Sequence, residues 1–200
     1  LNGKQVGSSA RWVHFSNLPE NIIMTNSPSP EIPDHPIYPK TLRALTIAGA
    51  YGYMIAQEWK QEEYRTWPYR GPFGIPVLIH VSSGTKGWEV TWTDCGITKE
   101  QCPPTAIIGA GILVGCNGDD GDFGHEFAQP FAFQRPIKPV SGARYYWKPE
   151  PDKRKGGDRD RIRAFNLAWM RIKAEAPECQ AWKEIIETGR TNHLESFPGM

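Results

Sequence analysis

Two spacings of apolar residues divide the chain. Residues 42–47 alternate around Leu42, Leu45 and Ile47 as a half-buried strand does. Residues 48–60 then read as a helix with Ala50, Met54 and Ile55 on its inner face. A short polar-aromatic strand follows over residues 63–67, a turn over 69–72 and a strand over 75–82. Residues 106–116 are almost continuous in Ile, Leu, Val, Ala and Gly, which predicts a strand buried on both faces. Residues 131–137 and 143–148 read as closing strands, separated by a turn at Ser141 and Gly142.

The last quarter changes to helical spacing. Ile162, Phe165, Trp169 and Ile172 fall on one face behind a candidate N-cap at Asp158. A second helix opens at Pro177, carries Trp182, Ile185 and Ile186, and stops at Gly189. Both stripes predict core packing against the strands. At the other end, Pro28, Pro30, Pro33 and Pro36 forbid helix and inner strand alike and predict an extended arm. Met24 is a candidate natural start, with residues 1–23 as a leader. The expected organisation is an arm over residues 1–40, a domain over 41–150 and a helical extension over 151–200 packed on it.

Composition narrows the class. Thr, Ser and charged residues interrupt every apolar run well short of the roughly twenty residues a bilayer requires, so no membrane is expected as a partner. No uninterrupted apolar stretch precedes a small-residue cleavage site, which predicts a cytoplasmic protein. With 18 Pro and 20 Gly, a loop-rich fold with strands is favoured over a helical bundle. Cys95, Cys102, Cys116 and Cys179 lack CxxC spacing; they read as reduced thiols, and a zinc site from Cys95, Cys102 and His125 fits no common ligand pattern. The Asp- and Gly-rich stretch from Asn117 to Asp122 lacks the closing glutamate of a calcium loop and reads as a hairpin turn. Neither a metal nor a cofactor is implied.

Candidate chemistry concentrates in one short strand. Alternation puts Glu63, Arg65 and Trp67 on one face, and Lys60 at the end of the preceding helix reaches that face. Arg70 at the adjacent turn and His80 at the end of the next strand border the same area. An indole to stack, cations to donate and a carboxylate to accept suit a nucleobase or nucleotide. The same residues also suit a structural ion pair beside a core tryptophan. A second group, Lys153, Arg154, Lys155, Arg159, Arg161 and Arg163, crowds the start of the tail helix, and Arg144, Tyr146 and Lys148 alternate on the last strand. These cations suit phosphate contacts, or equally a solvated helix start partly neutralised by Asp152, Asp158 and Asp160. The net charge of +1 excludes a histone-like protein without excluding a local basic stripe.

These motifs resemble the ASCH domain, of the PUA-like group. That family has a strand, a helix, a motif G-x-K-x-x-E-x-R-x-W, then R-G and an apolar strand ending in I-H. Here Lys60, Glu63, Arg65 and Trp67 keep the motif's spacing, Arg70 and Gly71 follow, and Ile79 and His80 end the apolar strand. Residues 106–109 match the family's buried strand and residues 142–147 its closing strand. Glu58 replaces the usual glycine, and residues 48–51 replace a Gln-Pro-Trp-like segment.

The resemblance implies a mixed α/β (α+β) fold with a small barrel of five or six strands, flanking helices and a helical tail. It also implies binding of RNA or a nucleotide-like ligand. Some ASCH-like proteins are instead hydrolases of acylated cytidine, or ribonucleases. In the former a lysine acts with a threonine three residues on; Lys60 is present, but Glu63 stands at the threonine position, leaving Lys60 and Glu63 as an acid–base pair. A third class is a protein-interaction domain using the arm or the tail helices.

Overall fold

The computed structural model describes residues 31–84, 96–150 and 158–193. The chain divides into two units, Leu1–Glu31 and Ile32–Met200, and apart from Glu31 the described residues belong to the second. In chain order they form β1 (Arg43–Ile47), α1 (Gly49–Ala56), β2 (Glu62–Arg65), β3 (Ile75–Val81), β4 (Ile107–Asp119), β5 (Asp122–Ile137), β6 (Tyr146–Trp147), α2 (Arg159–Glu175) and α3 (Gln180–Thr188). The strands form one sheet in the order β2-β5-β4-β3-β1-β6, with β1 and β3 parallel and the other pairs antiparallel. This is a mixed α+β fold whose sheet curls into a half-barrel. No helix among the described residues is long and apolar enough to cross a membrane.

Alternation along the strands separates two cores. Leu42, Ala44, Leu78 and Ile112 pack with Phe165, Trp169 and Ile172 of α2 and Trp182 and Ile185 of α3. Leu45, Ile47, Val77 and Ile79 point the other way, toward Ala50 and Ile55 of α1. β3 is therefore buried at every position. Each large side chain so enclosed contributes about 1.5–3 kcal/mol from apolar burial.

The departures from the expected elements have local causes. α1 ends at Ala56, short of residue 60, because Glu58 adopts φ 61 and the amides of Trp59 and Lys60 both turn back to the carbonyl of Met54. β5 starts at Asp122, nine residues before the expected strand. Asp120 (φ 44) and Gly121 (φ 85) form the tight turn that returns the chain along β4. Gln129 (φ 45) and Pro130 interrupt the pattern, and the pairing continues through shifts of register. At Gly109, a Cβ would lie 2.3 Å from the carbonyl oxygen of Phe131, so the strands approach there as only glycine permits. β6 is reduced to two residues because Tyr145 has φ 59.

Part of the arm is held on α2. The buried Asn166 amide donates to the carbonyls of Pro33 (2.7 Å) and His35 (2.8 Å) and accepts from the amide of Ile37 (2.9 Å). Asp158 gives α2 no side-chain cap; its carboxylate accepts from the amide of Glu150 at 3.0 Å. Gly189, in the left-handed conformation, stops α3 where expected.

Candidate functional site

β2 and β6 are the two ends of the sheet, and side chains bridge the seam between them. From the last residue of β2, Arg65 reaches β1, its Nη2 donating to the carbonyl of Thr46 at 2.8 Å. The chain leaving β2 sets Trp67 edge-on against Tyr145 and Tyr146, with ring centres 4.9 and 5.7 Å away. His125 of β5 backs this group: Nε2–H donates to the carbonyl of Trp67 at 3.0 Å, which leaves Nδ1 to accept from the Tyr146 hydroxyl at 2.9 Å. Burial pushes the Tyr146 hydroxyl well above its ordinary pKa and, with the Arg65 charge nearby, pulls His125 below its own.

Thr46 is the hub of the seam. Beyond its carbonyl, its hydroxyl accepts from Trp147 Nε1 at 3.0 Å, lies 3.0 Å from the carbonyl of Ala143 and 3.2 Å from His80 Nδ1. Thr46 and His80 are direct partners across the parallel strands β1 and β3. His80 Nε2–H donates to the carbonyl of Val140 at 2.8 Å. Burial, with a smaller contribution from Arg161, lowers its pKa, so it is neutral at neutral pH.

A cavity of ≈ 660 Å³ opens at this seam. Its floor is Thr46, His80 and Ser82 at the ends of the parallel strands, one wall is Arg65 to Trp67, and the facing wall is the 141–145 loop. Among the described residues that line it are two arginines, Arg65 and Arg144, and no carboxylate. Tyr145 lines the cavity and is 57% exposed, so its ring is open to solvent rather than sealed in the core. The loop lies close over the floor: a Cβ on Gly142 would stand 2.6 Å from His80 Cε1 and from the Thr46 hydroxyl. From α2, Arg161 bonds the carbonyls of Ser141 (2.8 Å) and Gly142 (3.0 Å).

The expected site residues are distributed as follows. Arg65, Trp67, His80 and Arg144 line the cavity. Glu63 is 7% exposed and lies behind Arg65, paired with it at 3.0 Å and with Lys60 at 2.8 Å. Lys60 borders a separate depression with Trp59 and Tyr64, its ammonium over the rings of Tyr51 and Tyr64. Arg70 is exposed on the loop before β3, away from the cavity wall, and Lys148 is exposed beyond β6. Arg159 pairs with Asp34 at 3.5 Å. Lys153, Arg154 and Lys155 lie outside the described residues, as does Cys95. Among the described residues no group of three His, Cys, Asp or Glu side chains could hold a metal ion.

No signal in the sequence joins Thr46, Tyr145, the Ser141-to-Ala143 wall and Arg161 into one site. Their types are ordinary, and only the crossing of the 141–145 loop over β1 and β3 assembles them. The arrangement offers stacking surface, cationic donors and hydroxyls in one cavity, among them the Thr46 hydroxyl beside His80 Nδ1. Neither the models of known protein families nor the curated proteins contain a match to this chain.

Proposed function

We propose that this chain is an RNA- or nucleotide-binding module of the PUA-like, ASCH type, with the seam cavity as the place where one base is held. The observation that carries this reading is the juxtaposition of Trp67 and Tyr145 with Arg65 and Arg144 around a cavity of ≈ 660 Å³. That volume lies within the range of about 300–1,000 Å³ usual for small-molecule sites. A base has a π-face for the tyrosine and tryptophan rings and edge acceptors for guanidinium donors. Its phosphate is favoured by Arg144 and by the part of the Arg65 charge that Glu63, paired with it behind the cavity wall, leaves unmatched. Thr46, Ser82 and Ser141 supply hydroxyls that can donate or accept, which suits the mixed edges of a base or a ribose 2′-hydroxyl.

In this reading Lys60 and Glu63 are supports of Arg65 rather than an acid–base pair. Both are already engaged within the chain Lys60–Glu63–Arg65, where one carboxylate serves two cations. Arg144 and Lys148, with Lys153 to Lys155 beyond them in sequence, would follow the phosphates of a longer RNA in a cytoplasmic protein. Arg159 contributes less, since Asp34 competes for it.

The test is a set of short single-stranded RNAs and modified nucleosides, measured for binding at two salt concentrations and for turnover. Saturable binding without turnover is expected, with loss in Arg65→Met and in Trp67→Leu. Binding that both variants retain would reject the site, and turnover abolished by Lys60→Ala would replace the binding reading with a hydrolytic one.

A further inference from the structure

We infer that Arg161, in the first turn of α2, is the positioning residue for the loop wall of the cavity, which makes the helical extension part of the ligand site. The ligand side of this inference rests on the nucleotide reading above; the tether itself rests on geometry.

Two carbonyl groups of the loop wall, those of Ser141 and Gly142, are taken up by α2. Arg161 meets them with its fork: Nε lies 2.8 Å from the carbonyl oxygen of Ser141 and 3.2 Å from its hydroxyl, and Nη2 lies 3.0 Å from the carbonyl oxygen of Gly142. The guanidinium is fixed in turn, 5.1 Å over the Trp147 ring and 3.6 Å from Asp158. Its side chain is 18% exposed, against 66% for Arg159 and 51% for Arg163 on the same helix. Arg159 and Arg163 face Asp34, whereas Arg161 is turned inward onto the loop. A planar fork matched to two successive carbonyls is a task lysine cannot reproduce.

The opposite side of the loop is held by the sheet, through the Thr46 hydroxyl to the carbonyl of Ala143. The wall is thus clamped between β1 and α2. Arg144 and Tyr145 follow directly after the clamped residues, so their placement in the cavity depends on both clamps. Loosening the helical clamp lets the two ligand-facing side chains move without opening either core.

The experiment compares wild type, Arg161→Lys and Arg161→Ala, with Lys173→Ala, exposed in the last turn of α2, as control, by two readouts. The first is hydrogen exchange of the 140–146 segment in free protein; the second is affinity for the four ribonucleoside 5′-monophosphates. Both Arg161 variants should exchange faster in that segment. Their affinity should fall about tenfold, the scale of one lost charge-assisted hydrogen bond. Lys173→Ala should match wild type in both readouts. Should Arg161→Ala fail to fold, Arg161→Lys carries the comparison. Wild-type exchange and affinity in Arg161→Lys, with binding lost in Trp67→Leu, would overturn the inference and leave the nucleotide reading standing. If wild type binds none of the four nucleotides, that reading fails. Exchange then decides the tether alone, and unchanged protection in Arg161→Lys would overturn it.

Discussion

Arg65 and Thr46 lie on strands that are not neighbours in the sheet, yet the arginine Nη2 donates to the threonine carbonyl at 2.8 Å. The bond spans the seam of the half-barrel, from its β2 end to β1. A side chain that closes the fold in this way cannot swing freely. The same guanidinium lines the cavity, so one residue joins the fold to the site. The hydroxyl of Thr46 extends this junction to Trp147, Ala143 and His80.

Thr46→Val, close to isosteric, tests that junction. It leaves the indole N–H of Trp147 and the carbonyl of Ala143 without their partner. The expected loss is about 2–3 kcal/mol in denaturant unfolding, with Thr46→Ser within about 1 kcal/mol of wild type. Equal stability of the Val and Ser variants would show that the hydroxyl holds nothing.

Removing the carboxylate behind Arg65 should cost more than its replacement by an amide. Glu63 is buried between Lys60 and Arg65, so Glu63→Ala strands two cations. Both cations keep about a fifth of their side-chain surface in solvent, which softens the penalty. Unfolding free energy should fall by about 3 kcal/mol in Glu63→Ala and by less in Glu63→Gln. Because Arg65 loses its support, both variants should also bind nucleotide more weakly. A Glu63→Ala protein as stable as wild type would contradict the supporting role.

Acid should weaken the fold through its two buried imidazoles. Burial is the largest cause of the lowered pKa of both His80 and His125. A histidine whose folded pKa is depressed binds its proton more readily in the unfolded chain. Stability is therefore full above the ordinary value of 6.5, falls as pH drops through it, and levels off below the folded value. Urea unfolding at roughly pH 8 and roughly pH 5 should show this loss, and His80→Gln should reduce it. A His80→Gln protein with the wild-type pH dependence would remove His80 from the account.

Tyr145 combines an exposed ring with a left-handed backbone, φ 59. Tyr145→Gly relieves that strain while losing the ring contact with Trp67. Stability should stay within about 1 kcal/mol of wild type. Nucleotide affinity should drop by about 1–3 kcal/mol if the ring stacks on a base. Isothermal titration beside thermal unfolding separates the two effects; unchanged affinity would take Tyr145 out of the site.

Strands whose side chains alternate against two cores were legible in the sequence: β1, β3 and the buried part of β4 have near their expected bounds, because burial alone dictates their residues. The helical stripes of α2 and α3 were legible for the same reason. The first half of β5 was not, since Gly124, Gln129 and Pro130 resemble turn residues and only the partner strand β4 holds them extended. The site divides along similar lines. Arg65, Trp67 and His80 stand out as polar or aromatic residues within or beside short strands. Thr46 and Arg161 do not: a threonine in an alternating strand and an arginine in a charged helix start look ordinary until the 141–145 loop is placed between them. Lys60 and Glu63 share a local pattern with Arg65, yet the turn at Glu58 sets the lysine at another depression.

The most direct test of the central claim is titration of isotope-labelled protein with each ribonucleoside 5′-monophosphate, followed by nuclear magnetic resonance. Saturable shifts should centre on the Arg65 guanidinium, the Trp67 indole N–H and the amides of Gly142, Arg144 and Tyr145, with Trp59 and Tyr64 unaffected. Saturable shifts centred instead on the Trp59–Tyr64 depression, or no shift with any of the four nucleotides, would contradict the account.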